Sequence, residues 1–272
     1  MKKTWFWLMP VLLLMAFKAE QRPEQEDAKV VNINLRNITN TAFQAGERMT
    51  FRVRYGFLTA GNVDFIMDDK TVTYGGRECY RAHGYVKTAS SYEWFYKVRD
   101  EYHTYFDKTA IVPWYYTRKV HEGSYKMNDT VSFDFNRKVI KGTKGVFKMQ
   151  DYTLDAMSAF YYARCLNLKN AANGTVFKIN AFIDDKIYEM GLTVIKRETI
   201  STEFGKVRCI KIAPIMVAGR IFKDNDQMHI WLTDDDNYLP IHVQSPILVG
   251  SIKCDLIKYD NIRNPFTALV KK

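Results

Sequence analysis

The segment 152–168, YTLDAMSAFYYARCLNL, is the strongest helical pattern in the chain. Its apolar residues recur at helical spacing and predict one face that packs against other elements. That stripe consists of Leu154, Met157, Tyr161, Cys165 and Leu168. Thr153 is the expected N-cap, and Asp155 suits the first helical turn. Long segments with strand-like alternation lie on both sides, so we expect the fold to be organised around this helix.

Strands are predicted before and after the helix. In the segment 46–55, Met49, Phe51 and Val53 alternate with polar residues, which is typical of a half-buried antiparallel strand. An aromatic content of 14% also favours strands. A flat sheet of this size would leave long edges unpaired. The predicted fold is therefore mainly β, a large antiparallel sheet curled into a barrel or half-barrel, with one packed α-helix.

The segments on either side of the helix share one pattern. The residues Tyr96, Lys97, Asp100, His103 and Pro113 recur in the same order as Phe222, Lys223, Asp226, His229 and Pro240. The segment 74–79 similarly parallels 204–209. These near-constant offsets predict an internal duplication, in which one β unit is used twice.

The predicted organisation is one β domain with shorter flanking segments. The domain covers 46–262, with a first half at 46–150, the helix and a linker at 151–173, and a second half at 174–262. Residues 20–45 are expected to be an N-terminal tether, and 263–272 a C-terminal tail.

Residues 1–19 have the pattern of a secretory signal peptide. Lys2 and Lys3 precede the apolar run 5–17, which is shorter than the about 20 residues that a membrane span needs. We therefore expect export across the inner membrane to the periplasm. An N-terminal anchor that is not cleaved is the alternative.

The chain is basic, with a formal charge of +10. Its Lys and Arg residues are spread among acidic residues and form no basic cluster or RNA-binding aromatic motif, which disfavours nucleic acid as a partner. Weak attraction to anionic lipid or glycan, with peripheral membrane contact, is one interpretation of the charge. A solvated basic surface is the other.

The four cysteines are Cys79, Cys165, Cys209 and Cys254, and none forms a CxxC pair. This spacing excludes a zinc ribbon or a thioredoxin motif. Export permits disulfides, and buried free thiols are the alternative. The chain also lacks GxSxG, HExxH, GxGxxG and Walker motifs, so the sequence predicts no cofactor and no metal.

The repeated His and Asp residues are the catalytic candidates: His103, Asp100, His229 and Asp226. If a pseudo-twofold axis relates the halves, they could meet at one centre and bind a metal or transfer protons. Alternatively, each His bonds locally and only marks the repeat. The ligand-binding candidates are aromatic or basic: Tyr161, Arg164, Trp94, Trp231 and Arg220. Core packing and surface ion pairing are the alternative roles for these side chains.

Three motifs are similar to a known family. They are GERMTFRV at 46–53 with the Gly residues that follow it, LDAMSAFYYAR at 154–164, and GRIFK at 219–223 with WLTDD at 231–235. In these motifs the chain resembles the bacterial family called domain of unknown function 3108, over roughly residues 46–259. The resemblance implies an exported, envelope-associated β-rich protein, and it implies no catalytic residues.

The sequence thus predicts a non-catalytic periplasmic protein that binds a hydrophobic or envelope-derived ligand, such as a lipid or glycan, or an envelope protein. A hydrolase or isomerase that acts on envelope glycan or lipid through the His and Asp residues is one alternative. A structural interaction module is another. An apolar cavity beside the helix would favour an internal ligand, and a filled interior would exclude it.

Overall fold

The protein, seen here as a computed structural model, is described for residues 34–216, 228–247 and 250–270. The first half supplies β1 (Arg48–Tyr55), β2 (Leu58–Met67), β3 (Val72–Tyr74), β4 (Arg77–Thr88), β5 (Arg99–Asp107), β6 (Pro113–Glu122), β7 (Tyr125–Asp134), β8 (Val139–Gly142) and β9 (Gly145–Lys148). The helix α1 (Ala156–Ala163) follows. The second half supplies β10 (Val176–Ile183), β11 (Lys186–Thr202), β12 (Gly205–Met216), β13 (His229–Thr233), β14 (Pro240–Pro246) and β15 (Ser251–Asp260).

All these strands belong to one antiparallel sheet. Its order is β10-β11-β12-β13-β14-β15-β1-β2-β4-β5-β6-β7-β8-β9, and β3 pairs with β4 outside this order. The contact of β1 with β15 joins the two halves. Between the described strands the sheet does not close by hydrogen bonds, and β9 and β10 are its edges. The predicted class, a curled antiparallel sheet with one packed helix, is confirmed.

Side chains bring the edge strand β10 close to the first half. The ring of Phe182 lies 5.3 Å from that of Phe147 and 6.4 Å from that of Phe133. Leu154 pairs with β10 as a short parallel bridge, donating to Asn180 and accepting from Phe182. These contacts cover an edge that would otherwise expose unpaired backbone groups.

The helix is shorter than the sequence predicts, because Leu154 is held in its bridge to β10. Asp155 is the N-cap, and the prediction of Thr153 was wrong. The Asp155 carboxylate accepts from the backbone N–H groups of Met157 and Ser158, and Ser158 completes a capping box. Thr104 of β5 donates to the same carboxylate over 2.7 Å, which ties the helix start to the sheet.

The helix fills the space inside the curled sheet. Of the predicted stripe, Leu154, Met157, Tyr161 and Leu168 are buried, and Cys165 is half-buried. Tyr161 stacks on Phe106 at 5.2 Å. Gly84 of β4 lets the helix approach closely, because a Cβ there would lie 3.2 Å from the sulfur of Met157. The side chains of the helix therefore occupy space inside the curled sheet.

The described parts of the flanking segments, 34–45 and 263–270, pack on the sheet, contrary to the predicted tether and tail. Within 20–45, the described part begins at residue 34, and both Ala42 and Phe43 are fully buried. Within 263–272, Ala268 is fully buried, and Leu269 forms a bridge with Val207 of β12. Both segments contribute apolar side chains to the core, and the sequence did not predict these contacts.

All four cysteines are free thiols in the structure. Three are buried and Cys165 is half-buried. Burial raises the pKa of each thiol to about 12. This is the environment of structural rather than reactive cysteines.

No helix within the described ranges has the length and apolar character needed to cross a membrane. The predicted signal peptide at 1–19 lies outside those ranges.

Candidate functional site

Exposed apolar side chains are concentrated at one end of the sheet. Twelve large hydrophobic side chains of the described residues are exposed, and eight of them lie in or beside three turns at this end. We call these eight the aromatic rim: Tyr55, Phe57, Leu58, Tyr92, Trp94, Phe95, Tyr96 and Tyr125. The β1–β2 turn, the β4–β5 loop and the β6–β7 turn share this end because the strands alternate in direction.

Three side chains of the aromatic rim are the most exposed. Phe57 is 92% exposed, Trp94 83% and Phe95 72%. The rings of Trp94 and Phe95 meet edge to face at 5.9 Å. Exposed apolar residues occur singly on most proteins, whereas a cluster marks a surface that contacts a partner or a membrane.

Backbone contacts join the three turns into one ridge. Ala89 donates to Ala60 over 2.9 Å, which links the β4–β5 loop to the start of β2. Gly123 donates to Lys97 over 2.8 Å, which links the same loop to the β6–β7 turn. The Tyr96 ring lies against Gly123, where a Cβ would approach the ring to 3.0 Å. The aromatic side chains are thus presented on a fixed support.

Two carboxyl groups lie near the β4–β5 loop. Asp100 of β5 is 2% exposed and accepts a hydrogen bond from the His121 N–H over 3.0 Å. Its second oxygen is buried without a hydrogen-bond partner among the residues that the structure describes. Burial, aided by the charge of Glu122, raises the pKa of Asp100 to about 7. Burial also raises the pKa of Glu122 to about 7. This position therefore favours protonated carboxyl groups.

The described members of the predicted catalytic centre do not lie together. Asp100 and His103 lie three residues apart on β5, so they point to opposite faces of the sheet. Five strands separate His103 on β5 from His229 on β13. Asp226 lies outside the described residues. His103 instead contacts His83 of β4, with 2.6 Å between their Nδ1 atoms.

The candidate ligand-binding residues are in several different places. Arg164 is buried in an ion pair with Glu47, at 2.5 and 2.8 Å. Tyr161 is a core side chain, and burial raises its pKa. The Trp231 indole is largely buried and donates to Glu198. Arg220 lies outside the described residues. Trp94 alone of the five is described on an exposed surface, within the aromatic rim.

An open cleft of about 320 Å³ lies beside the helix. Tyr162 and Leu154 line it together with polar groups, among them Arg36 and Lys178. The Arg36 guanidinium lies over the Tyr162 ring at 4.2 Å, and Lys178 pairs with Glu189 at 2.9 Å. Its lining is a mixture of polar and apolar groups, whereas the sequence suggested an apolar cavity.

Two features of the surface were missed from the sequence. Phe57 lies in a turn that was predicted from its flanking glycines. The alternation of apolar and polar residues in the neighbouring strands did not indicate that the Phe57 side chain is exposed. His83 had no repeated partner, so its contact with His103 was not foreseen. The register of β4 and β5, which places these histidines opposite each other, becomes visible only in the fold.

The fold and the rim define a class of protein: an antiparallel sheet curled around one helix, with an exposed aromatic end. Residues 50–257 match the family described as protein of unknown function (DUF3108), and the chain therefore belongs to this family. The resemblance found in the sequence motifs is confirmed. No curated protein sequence matches the chain.

Several solved structures align with the chain at low sequence identity. A β-barrel-like protein of domain of unknown function DUF1849 from Brucella abortus aligns with a TM-score of 0.54 and 12% identity, over 81% of this chain and 99% of that one. A Parabacteroides distasonis protein described as a candidate lipoprotein aligns with a TM-score of 0.36 and 9% identity, over 83% and 100%. A Bacteroides fragilis protein described as a candidate exported protein aligns with a TM-score of 0.31 and 10% identity, over 82% and 99%.

Proposed function

We propose that this protein is an exported, non-catalytic envelope protein that docks on a lipid membrane surface through its aromatic rim. The observation that carries the proposal is the clustering of eight exposed apolar side chains at one end of the sheet. Trp and Tyr prefer the interface between water and hydrocarbon, because each has an apolar ring and a polar group. Lys97 and Lys126 are exposed beside this cluster and suit an anionic lipid surface.

The expected affinity follows from the side chains that would enter the lipid. Transfer of one large apolar side chain out of water is worth about 2 kcal/mol. The expected contribution is about 6 kcal/mol from Phe57, Trp94 and Phe95 together. This energy corresponds to a dissociation constant between millimolar and micromolar. Docking of this strength is reversible and does not resemble the insertion of a membrane-spanning helix.

Export and a periplasmic location are part of the proposal. They are supported by the basic start and the apolar run of residues 1–19. An exported protein of this kind would meet the surface of a membrane on either side of the periplasm.

We also propose that the two halves arose by duplication. Support comes from sheet register: Cys79 pairs with Asp107 in the first half, and Cys209 pairs with Thr233 in the second. Cys209 is the repeat equivalent of Cys79, and Thr233 stands at the same offset from Asp107 as His229 does from His103. A register shift also occurs at equivalent places, between Tyr105 and Phe106 and between Trp231 and Leu232.

Vesicle flotation tests the docking proposal. The chain from residue 20 is used, because the apolar run 5–17 could bind lipid by itself, and every described residue is retained. We expect this chain to float with vesicles of phosphatidylethanolamine and phosphatidylglycerol. The triple variant Phe57→Ser, Trp94→Ser, Phe95→Ser should lose at least about tenfold in partitioning, which is 1.4 kcal/mol.

A matched control removes exposed apolar side chains from elsewhere. Val176 and Val270 are 45% and 39% exposed and lie away from the rim. The double variant Val176→Ser, Val270→Ser should float like the parent chain. Equal flotation of the triple variant and the parent would contradict the proposal, as would the absence of flotation by the parent.

A further inference from the structure

Two histidines face each other on the outer side of the sheet. His83 of β4 and His103 of β5 are directly opposite in the antiparallel register. Their strand neighbours Gly84 and Thr104 contact the helix side, through Met157 and Asp155 respectively. The histidines therefore point away from the core. They are nevertheless well covered, with side chains that are 10% and 20% exposed.

The inner nitrogens of this histidine pair converge, and the outer nitrogens face carboxylates. The two Nδ1 atoms are 2.6 Å apart. His83 Nε2 lies 3.0 Å from an oxygen of Asp68, and His103 Nε2 lies 3.6 Å from an oxygen of Glu101. A carboxylate beside Nε2 favours the proton on that nitrogen and leaves the lone pair on Nδ1.

This arrangement can direct the Nδ1 lone pairs of His83 and His103 toward each other. If His103 carries its proton on Nδ1, it donates to His83 and the pair is an ordinary hydrogen bond. If both outer nitrogens carry the protons, the facing Nδ1 lone pairs repel each other unless a cation lies between them. A shared proton meets this need at the observed separation. A metal ion meets it equally well, and a carboxylate that holds the outer nitrogen of a ligating His is the usual arrangement around protein-bound metals.

We propose that His83 and His103 form a binding site for a divalent transition-metal ion of the zinc type, with the two Nδ1 atoms as ligands. Zn–N bonds of about 2.0–2.1 Å in a tetrahedral arrangement place the nitrogens about 3.3 Å apart. The rings need to separate by about 0.7 Å, which a small side-chain rotation supplies.

The two histidines supply two of the ligands that such an ion needs. No group of three or more His, Cys, Asp and Glu side chains suited to a metal occurs in the described part of the chain. Water or an external ligand therefore completes the coordination, as in sites that keep an open position. Arg81 lies 3.6 Å from Asp68 and Lys119 2.8 Å from Glu101, so these cations balance the two carboxylates.

Zinc titration of the purified chain, prepared without a polyhistidine tag, tests the site. Isothermal titration should give one equivalent of Zn²⁺ bound with a Kd below about 100 µM. His83→Gln and His103→Gln should each weaken binding at least about tenfold. His103→Cys, which keeps a zinc ligand at this position, should retain binding and shows whether a loss reflects chemistry or folding.

A matched control uses a histidine that has a carboxylate partner but lies on other strands. His242 Nδ1 lies 2.6 Å from Asp255. His242→Gln should bind zinc like the parent chain. Absence of stoichiometric zinc binding by the parent would overturn the site and would mean that the pair holds only a proton. Equal loss in His242→Gln and His103→Gln would also overturn it.

Discussion

Replacement of Arg164 by Met tests whether this residue is structural. Its guanidinium is fully buried, pairs with Glu47, and donates to the carbonyl oxygens of Asn237 and Ala42. Removing one partner of a buried ion pair costs about 3–5 kcal/mol, because the other charge stays buried alone. Each carbonyl that loses its donor adds about 1 kcal/mol. We therefore expect Arg164→Met to lower the free energy of unfolding by about 5–7 kcal/mol.

The measurement is urea unfolding of the chain from residue 20, followed by circular dichroism. The double variant Glu47→Leu, Arg164→Met removes both charges, and we expect it to lie within about 2 kcal/mol of the parent. Strong non-additivity of the two single variants is the signature of a direct pair. A cost below about 1 kcal/mol for Arg164→Met, or simple additivity, would refute the structural role.

Three further predictions concern other buried groups. Burial raises the pKa of Asp100 to about 7. The protonated carboxyl therefore stabilises the fold below the unfolded pKa of about 4, and this stability is lost as the pH rises from about 4 to about 7. Asp100→Asn should flatten that fall in the free energy of unfolding by up to the order of 4 kcal/mol in urea unfolding across this pH range, and an unchanged pH profile would refute this. The Tyr161 hydroxyl is buried without a hydrogen-bond partner among the described residues, so Tyr161→Phe should stabilise the protein by about 1 kcal/mol in urea unfolding, and a clear loss would contradict the packing. All four cysteines are free, so a thiol reagent should react with none of the three buried ones in the native state and with all four in denaturant. Fewer than four reactive thiols after denaturation without reductant would show a disulfide.

The sequence predicted those parts of the fold that depend on periodicity. The alternation of Met49, Phe51 and Val53 predicted the first strand. The apolar stripe that includes Leu154 and Met157 predicted the helix and the face that packs against the sheet. These patterns are local, because a half-buried strand or helix must present one apolar face. The family motifs consist of turn and core residues, which also form local patterns in the sequence.

Contacts between distant segments were not predictable in this way. Arg164 has the sequence pattern of an exposed basic residue at a helix end, and only the approach of Glu47 from the start of β1 makes it a core residue. Asp100 and His103 looked like one site because their spacing recurs, but a spacing of three places them on opposite faces of a strand. The meeting of His83 with His103 depends on strand register, which a single sequence does not reveal.

Quenching of Trp94 fluorescence by brominated lipid tests the docking proposal most directly. Trp114 and Trp231 are largely buried, so in the chain from residue 20 the exposed Trp94 is the tryptophan that lipid can reach. Bromine placed near the headgroup end of the acyl chains should quench the emission strongly, and Trp94→Phe should abolish the quenching. Emission that is unchanged by brominated vesicles, or quenching that persists in Trp94→Phe, would contradict the proposal that the aromatic rim docks on the membrane.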